Sequence, residues 1–268
     1  MIVCKSPAEI EKMRAANQLV AKVLEDLAAL VAPGVSTADL DAAAEAKVRA
    51  AGAEPAFKGY RGYPATLCAS VNEQVVHGIP SRRQLASGDI VSLDMGVRLN
   101  GFYGDSAVTV PVGPVSDEVK RLLRATQEAL AAGIAQVKIG GRISDIGHAI
   151  QAFVEAQGFS VVREFVGHGI GAALHEEPQI ANYGEPGRGP RLAEGMTLAI
   201  EPMVNMGKPA VRLLADGWTA VTKDGQLSAH FEHTVAVTAA GPLVLTAIGG
   251  PVVAGADGYW VSPQAVRS

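Results

Sequence analysis

Two carboxylates stand where a chain of this kind tolerates them least. Asp94 closes the apolar run Ile90-Val91-Ser92-Leu93, and Glu201 closes Met196-Thr197-Leu198-Ala199-Ile200. Apolar runs of strand length are bound for burial, and a buried carboxylate without a partner is strongly disfavoured. The two runs are related to each other, because each acid falls six positions after a glycine, Gly88 and Gly195. Asp105 and Glu232 extend the pattern by opening the alternating segments "DSAVTV" and "EHTVAV". The fold must therefore bury several strands and still bring four acids into company.

The helical segments repeat as well. Ser6-Pro7-Ala8-Glu9 is a capping box with proline at the first helical position, followed by Ile10, Met13, Val20, Val23, Leu27 and Leu30 at helical spacing until Pro33-Gly34. A second helix is expected from near Ser36 through Leu40 and Val48 to Gly52. Ser116-Asp117-Glu118 opens a third with Val119, Leu122, Leu123 and Leu130, and a fourth follows Gly140-Gly141 through Ile146, Ile150 and Phe153 to Gly158. Leu40 and Ile146, like Gly52 and Gly158, lie 106 positions apart. The expectation is an α+β fold in one catalytic domain, 1–268, made of two related halves at about 1–113 and 114–250. Hydrophobic residues at 48% and charged residues at 19% suit one sizeable core and exclude wholesale disorder.

Four anions drawn together in low dielectric repel one another and resist ionisation unless a cation sits among them. A pair of divalent metal ions supplies that cation. His168 in "FVGHGIG", His175 in "LHEEP" and His77 in "VVHGIP" are the histidines placed to join them, two of them flanked by glycine. A histidine with several carboxylates and no nearby cysteine forms an oxygen-rich set suited to Mn, Fe(II), Co or Zn, not to a structural zinc. Such a centre binds and ionises water and polarises a carbonyl, so the expected chemistry is hydrolysis. His148 and His230 read as structural.

Other chemistries are set aside. "HEEPQ" has Gln179 where a zincin helix needs its second histidine, and Pro178 would break that helix. There is no phosphate loop ending in Gly-Lys-Ser/Thr and no G-x-S-x-G elbow. Cys68 as a nucleophile is a weaker alternative to a packed or pocket-lining thiol. A net charge of −4 with scattered basic residues argues against nucleic acid as a partner. Two cysteines and a charged N-terminal dozen point to a reducing, cytoplasmic setting without export. The uncharged stretch Thr234–Ala256 is cut by glycines and prolines into strand-sized pieces, not a membrane span.

Taken together, "GYPATLCASVNEQVVHGIP", "GDIVSLDMGVRLNGFYGDSAVT", "GHGIGAALHEEPQI", "GMTLAIEPMV", "DGWTAVTKDG" and "SAHFEHTVAVT" resemble the type I methionine aminopeptidases, pita-bread metallohydrolases that remove initiator methionine. The likeness runs from "SPAEIEKMR" to about Gly241, nearly the whole chain, and matches the short bacterial form. It implies a pita-bread fold of antiparallel sheet covered by helices. It also implies two divalent ions (Co, Mn, Fe(II), Zn or Ni) on five ligands: His168 and Glu201 on one ion, Asp94 on the other, Asp105 and Glu232 bridging. The bridging hydroxide would attack the first peptide carbonyl, with Glu201 as proton acceptor and His77 and His175 contacting substrate. Tyr60, Tyr63, Cys68 and Trp218 match the methionine side-chain pocket, while Leu174 and Phe57 depart from residues found in some relatives. The partner implied is the N-terminal Met of nascent polypeptides near the ribosome, met by a monomer. An Xaa-Pro aminopeptidase, prolidase or creatinase-like enzyme usually carries a further N-terminal domain. A non-catalytic scaffold would lose ligands, whereas all five are present here.

Overall fold

In the computed structural model, residues 1–248 and the Val252–Val253 strand are described. Four helices form where capping chemistry starts them: α1 Pro7–Leu30, α2 Thr37–Ala50, α3 Asp117–Ile134 and α4 Ile143–Ala156. At α1 the Ser6 hydroxyl accepts the Glu9 N–H (3.4 Å) and the Glu9 carboxylate accepts the Ser6 N–H (2.8 Å); Ser36 and Asp39 do the same for α2. One residue of the α1 stripe departs from expectation, because Leu30 in the last turn is 47% exposed and the buried face ends at Leu27.

The strands that carry the acids are antiparallel. Ile90–Leu99 and Phe102–Pro111 form a hairpin closed by Asn100-Gly101, both at positive φ (53° and 82°), the pairing a tight primed turn requires. This turn sets the register, with Asp94 opposite Ala107 and Gly96 opposite Asp105. Residues two apart share a face of a strand, so Asp94 and Asp105 emerge on the same side of the hairpin. Cys68–Val71 pairs along the other edge of Ile90–Leu99 and places Cys68 opposite Asp94. Helix α1 lies directly on the hairpin: a Cβ on Gly104 would fall 2.8 Å from the backbone of Ala16 and Asn17. There the Asn17 side chain accepts the Asp105 N–H (3.2 Å) and donates to the Met13 carbonyl (2.9 Å).

A second antiparallel sheet of six strands runs in the order Val252–Val253, Gly241–Val244, His233–Thr238, Thr197–Ile200, Gly167–Gly169, Glu176–Ile180. His168 lies within its strand, Glu201 follows Ile200, and Glu232 precedes His233. The two sheets are joined at the acids: the Glu232 N–H donates to the Ala107 carbonyl (2.9 Å), Ser106 Oγ to the Glu232 carbonyl (2.7 Å) and Thr234 Oγ1 to the Asp105 carbonyl (2.8 Å).

Helices α1 and α2 bury Leu24, Leu27, Leu40 and Val48 against Leu67, Leu93 and Val97, while α3 and α4 bury Leu122, Ile134, Ile146 and Ile150 with Leu198, Ile200 and Val235. Each such side chain contributes about 1.5–3 kcal/mol by leaving water. The two cores hold the sheets, and hence the acids, in fixed relation. Of the uncharged Thr234–Ala256 stretch, Thr234–Thr238 and Gly241–Val244 are strand; 249–251 and 254–256 lie outside the described residues. No described helix is long and apolar enough to cross a membrane.

Candidate metal centre and its cavity

Asp94, Asp105, His168, Glu201 and Glu232 all line one cavity of about 290 Å³. Asp105, His168 and Glu232 form its tightest group, each offering an atom within 4.8 Å of the others'. Asp94 and Glu201 stand outside that triplet but face the same space, with Glu201 Oε1 3.5 Å and Asp105 Oδ2 3.9 Å from His168 Nε2. His168 Nδ1 lies 2.9 Å from the Gly169 carbonyl, which can only accept. The proton therefore belongs on Nδ1, and Nε2 turns a lone pair toward the acids.

The electrostatics of the cluster fit a cation. Asp105 and Glu232 are 3% exposed, and Asp105 Oδ1 and Glu232 Oε1 have no hydrogen-bond partner. An orphaned buried oxygen of this kind costs about 1–3 kcal/mol, more if charged. Burial pushes the Asp94 carboxyl up to about 7. Burial and then the neighbouring carboxylates hold Asp105, Glu201 and Glu232 well above the usual range. His168 is lowered to about 4 by burial and then by His175, so its imidazole is neutral and free to donate electrons. Oxygen donors plus one neutral imidazole, without a thiolate, form a donor set for a hard or borderline divalent ion.

These shifts set a pH dependence for the metal-free protein. A carboxyl raised on folding is protonated in the folded chain while already ionised in the unfolded one, so its stabilisation fades as pH climbs through the folded value. His77, His168, His230 and His233, each lowered to about 4, act oppositely, but only below their ordinary value of 6.5. Above pH 6.5 the carboxyls decide. Metal-stripped protein should lose about 1.4 kcal/mol per pH unit for each carboxyl still protonated between pH 6.5 and 8.5. Urea unfolding across that interval checks this, with the midpoint falling as pH rises and saturating divalent metal flattening the fall; a rising midpoint refutes it.

The remaining wall gathers every other residue singled out in the sequence: His77, His175, Tyr60, Tyr63, Cys68 and Trp218, with Leu174 and Phe57. His77 sits at φ 60°, a left-handed conformation uncommon outside glycine, which marks strain at a cavity-lining position. Its ring meets Phe165 edge-on at 5.4 Å and Trp218 at 6.3 Å, and burial holds its pKa down to about 4. His175 Nδ1 is 2.9 Å from the Tyr60 hydroxyl, and its ring stacks on Tyr60 (5.2 Å) and lies 4.2 Å from that of His168.

The Tyr60–Tyr63 segment is a turn, yet Tyr63 is buried at 2% exposure, its hydroxyl within 3.1 Å of the Leu67 and Gly78 carbonyls and its ring edge-on to Trp218. A phenol needs such partners once its ring is buried, so Tyr63 is a wall of the cavity and a brace for it. The Cys68 thiol is pushed up by burial and then by Asp94, the reverse of nucleophile activation. "HEEPQ" ends in the strand Glu176–Ile180, so it forms no zincin helix. His148 is exposed beside the Gly184 carbonyl and His230 is buried beside the Pro202 carbonyl, both outside the cavity. Sequence reasoning missed Arg61, Val76, Glu164, Phe165 and Val166 in the lining. Phe165-Val166 directly precede Gly167-His168, so the apolar flank of that motif was the available signal.

The sequence matches metallopeptidase family M24 over residues 11–239. Methionine aminopeptidase 1 of Bacillus subtilis is 54% identical over 248 residues, spanning 92% of this chain and 100% of that protein. The crystal structure of methionine aminopeptidase from Rickettsia prowazekii aligns with a TM-score of 0.91 at 42% identity, over 92% of this chain and 100% of that one. That of methionine aminopeptidase from Thermotoga maritima aligns at 0.90 and 48% identity, over 92% and 99%.

Proposed function

This chain belongs to metallopeptidase family M24 and has the pita-bread fold, and we propose that it is a metal-dependent methionine aminopeptidase that removes the initiator methionine from nascent polypeptides with a small second residue. The observation that carries this reading is the cavity itself, where four buried or half-buried carboxylates and His168, side chains able to hold a metal, share a lining with apolar and sulfur-bearing residues. We read 1–268 as one catalytic domain of two related halves, about 1–113 and 114–250, in keeping with the two helix pairs on separate cores. The free thiols of Cys4 and Cys68 suit a reducing, cytoplasmic setting, and we read the chain as a monomer working near the ribosome.

His168 and Glu201 would hold one divalent ion, Asp94 a second, and Asp105 and Glu232 both. Co, Mn, Fe(II), Zn or Ni each suit these donors, and availability selects among them. Bound there, the ions would bring the pKa of a water near 7 and polarise the scissile carbonyl. The chain's own residues do the rest. Glu201 takes the proton released as water attacks. His77 and His175, neutral because burial lowers both, each keep one N–H to donate to the oxyanion as charge develops on it. Tyr60, Tyr63, Cys68 and Trp218 receive the thioether, with Leu174 and Phe57 shaping the space left to it.

Substrate choice tests the reading. The enzyme should cleave Met-Ala-Ser at least tenfold better, in kcat/KM, than Leu-Ala-Ser or Met-Leu-Ser. One misfitted methylene group typically costs ~1–3 kcal/mol of transition-state binding. A bulky second residue beside His77 and His175 would displace the carbonyl, and misplacement by about 1 Å can cost 10²-fold. If Met-Ala-Ser lacks that advantage, the methionine assignment fails while membership of the metallopeptidase family stands.

A further inference from the structure

Among the described residues, Lys5 is the only lysine or arginine that is buried. Its side chain is 4% exposed and its ammonium donates to the Glu176 carboxylate, itself 13% exposed, and to the Val3 carbonyl at 3.1 Å. An ion pair this far from water is a poor source of stability, since desolvation offsets most of the attraction. Its geometry, though, is specific. The other Glu176 oxygen accepts the Ala173 N–H at 3.1 Å, so one carboxylate closes the link between the Gly167–Gly169 and Glu176–Ile180 strands and also receives Lys5. That link carries Leu174 and His175 into the cavity.

Lys5 is fixed from behind as well. Its N–H donates to the Gly195 carbonyl (2.7 Å), at the start of the run that ends in Glu201. On the front side a Cβ at Gly171 would fall 2.3 Å from Lys5 Cε, so the link is pressed onto the lysine stem, while the Gly171 carbonyl accepts the Tyr103 N–H (2.8 Å). Lys5 thus ties the approach to Glu201 to the link bearing His175.

The geometry points to Lys5 as a positioning residue: through Glu176 its buried ammonium holds the 171–176 link so that His175 meets the substrate carbonyl. This rests on the role given to His175 above. Lys5 is not part of the cavity lining and acts only through the link.

Lys5→Met keeps the stem and removes the charge. Leu27→Ala, in the α1 core, supplies a destabilised control remote from the cavity. With divalent metal saturating, Lys5→Met should lower kcat on Met-Ala-Ser about tenfold against that control while KM stays within threefold and metal content is unchanged. Lys5→Arg should regain most of the loss. A kcat within threefold of the control overturns the proposal. If Lys5→Met does not fold, Glu176→Gln, which keeps the Ala173 acceptor, decides instead: a kcat loss beyond twofold supports the clamp and a smaller one overturns it. Hydrogen exchange on the metal-free full chain separates this proposal from the aminopeptidase reading. Faster exchange at 171–176 in Lys5→Met than in Leu27→Ala supports the clamp, and equal exchange overturns it, even if the parent leaves Met-Ala-Ser uncut and the aminopeptidase reading falls.

Discussion

Asp105→Ala and Glu232→Ala should each reduce cleavage of Met-Ala-Ser below a tenth of the parent rate, even with divalent metal added back to saturation. These two carboxylates are the most deeply buried of the four, and each has a buried oxygen without a hydrogen-bond partner. If they bridge, deleting either one loosens both ions at once and removes charge from a site whose remaining acids already resist ionisation. The same variants should move stability in opposite directions according to loading. Without metal, one fewer carboxyl relieves crowding, so the metal-free midpoint of unfolding holds or rises. With metal, the variant loses most of the stabilisation that a ligand bound only by the folded chain confers. Activity above a tenth of the parent in either variant, or an unchanged gain from metal, would sink the bridging assignment.

Much of this site is legible in the chain because charge inside an apolar strand is conspicuous. Asp94 and Glu201 end buried runs, and Asp105 and Glu232 open alternating ones, so burial and chemistry are written at the same positions. The helices are legible for a local reason too, since Ser6 with Glu9 and Ser36 with Asp39 close capping boxes within four residues. What the chain conceals is set by long-range contact. Nothing near Tyr63 announces that its hydroxyl will be taken by the Leu67 and Gly78 carbonyls, leaving the ring buried. The Lys5 ammonium finds Glu176 across 171 positions, a distance over which periodicity carries no signal. Arg61 and Glu164 reach one cavity from strand connections far apart in sequence, and charged loop residues ordinarily read as solvated surface. The register that puts Asp94 and Asp105 on one face was within reach, because Asn100-Gly101 between alternating strands is a turn signal with a defined geometry.

His77→Ala and His175→Ala should each lower kcat by roughly 10²-fold or more while leaving metal content unchanged, the loss expected for one hydrogen-bond donor to a developing oxyanion. Their partners differ from those of His168. The Nε2 of His168 faces Glu201 and Asp105 at 3.5 and 3.9 Å, whereas His175 is engaged with the Tyr60 hydroxyl and His77 packs between Phe165 and Trp218. Both rings line the cavity that the carboxylates line, His175 within 4.2 Å of the His168 ring. Burial lowers both, His77 to about 4, so the His77 ring is neutral and the loss in His77→Ala should not depend on pH between 6.5 and 8. The backbone at His77 offers a further check. At φ 60° alanine is less at ease than asparagine, so His77→Asn should fold better than His77→Ala yet recover little of the rate, since an amide sits on a shorter arm. Metal analysis decides the assignment: a His77 or His175 variant that emerges stripped of metal is missing a ligand, and the five-residue coordination sphere would then be wrong.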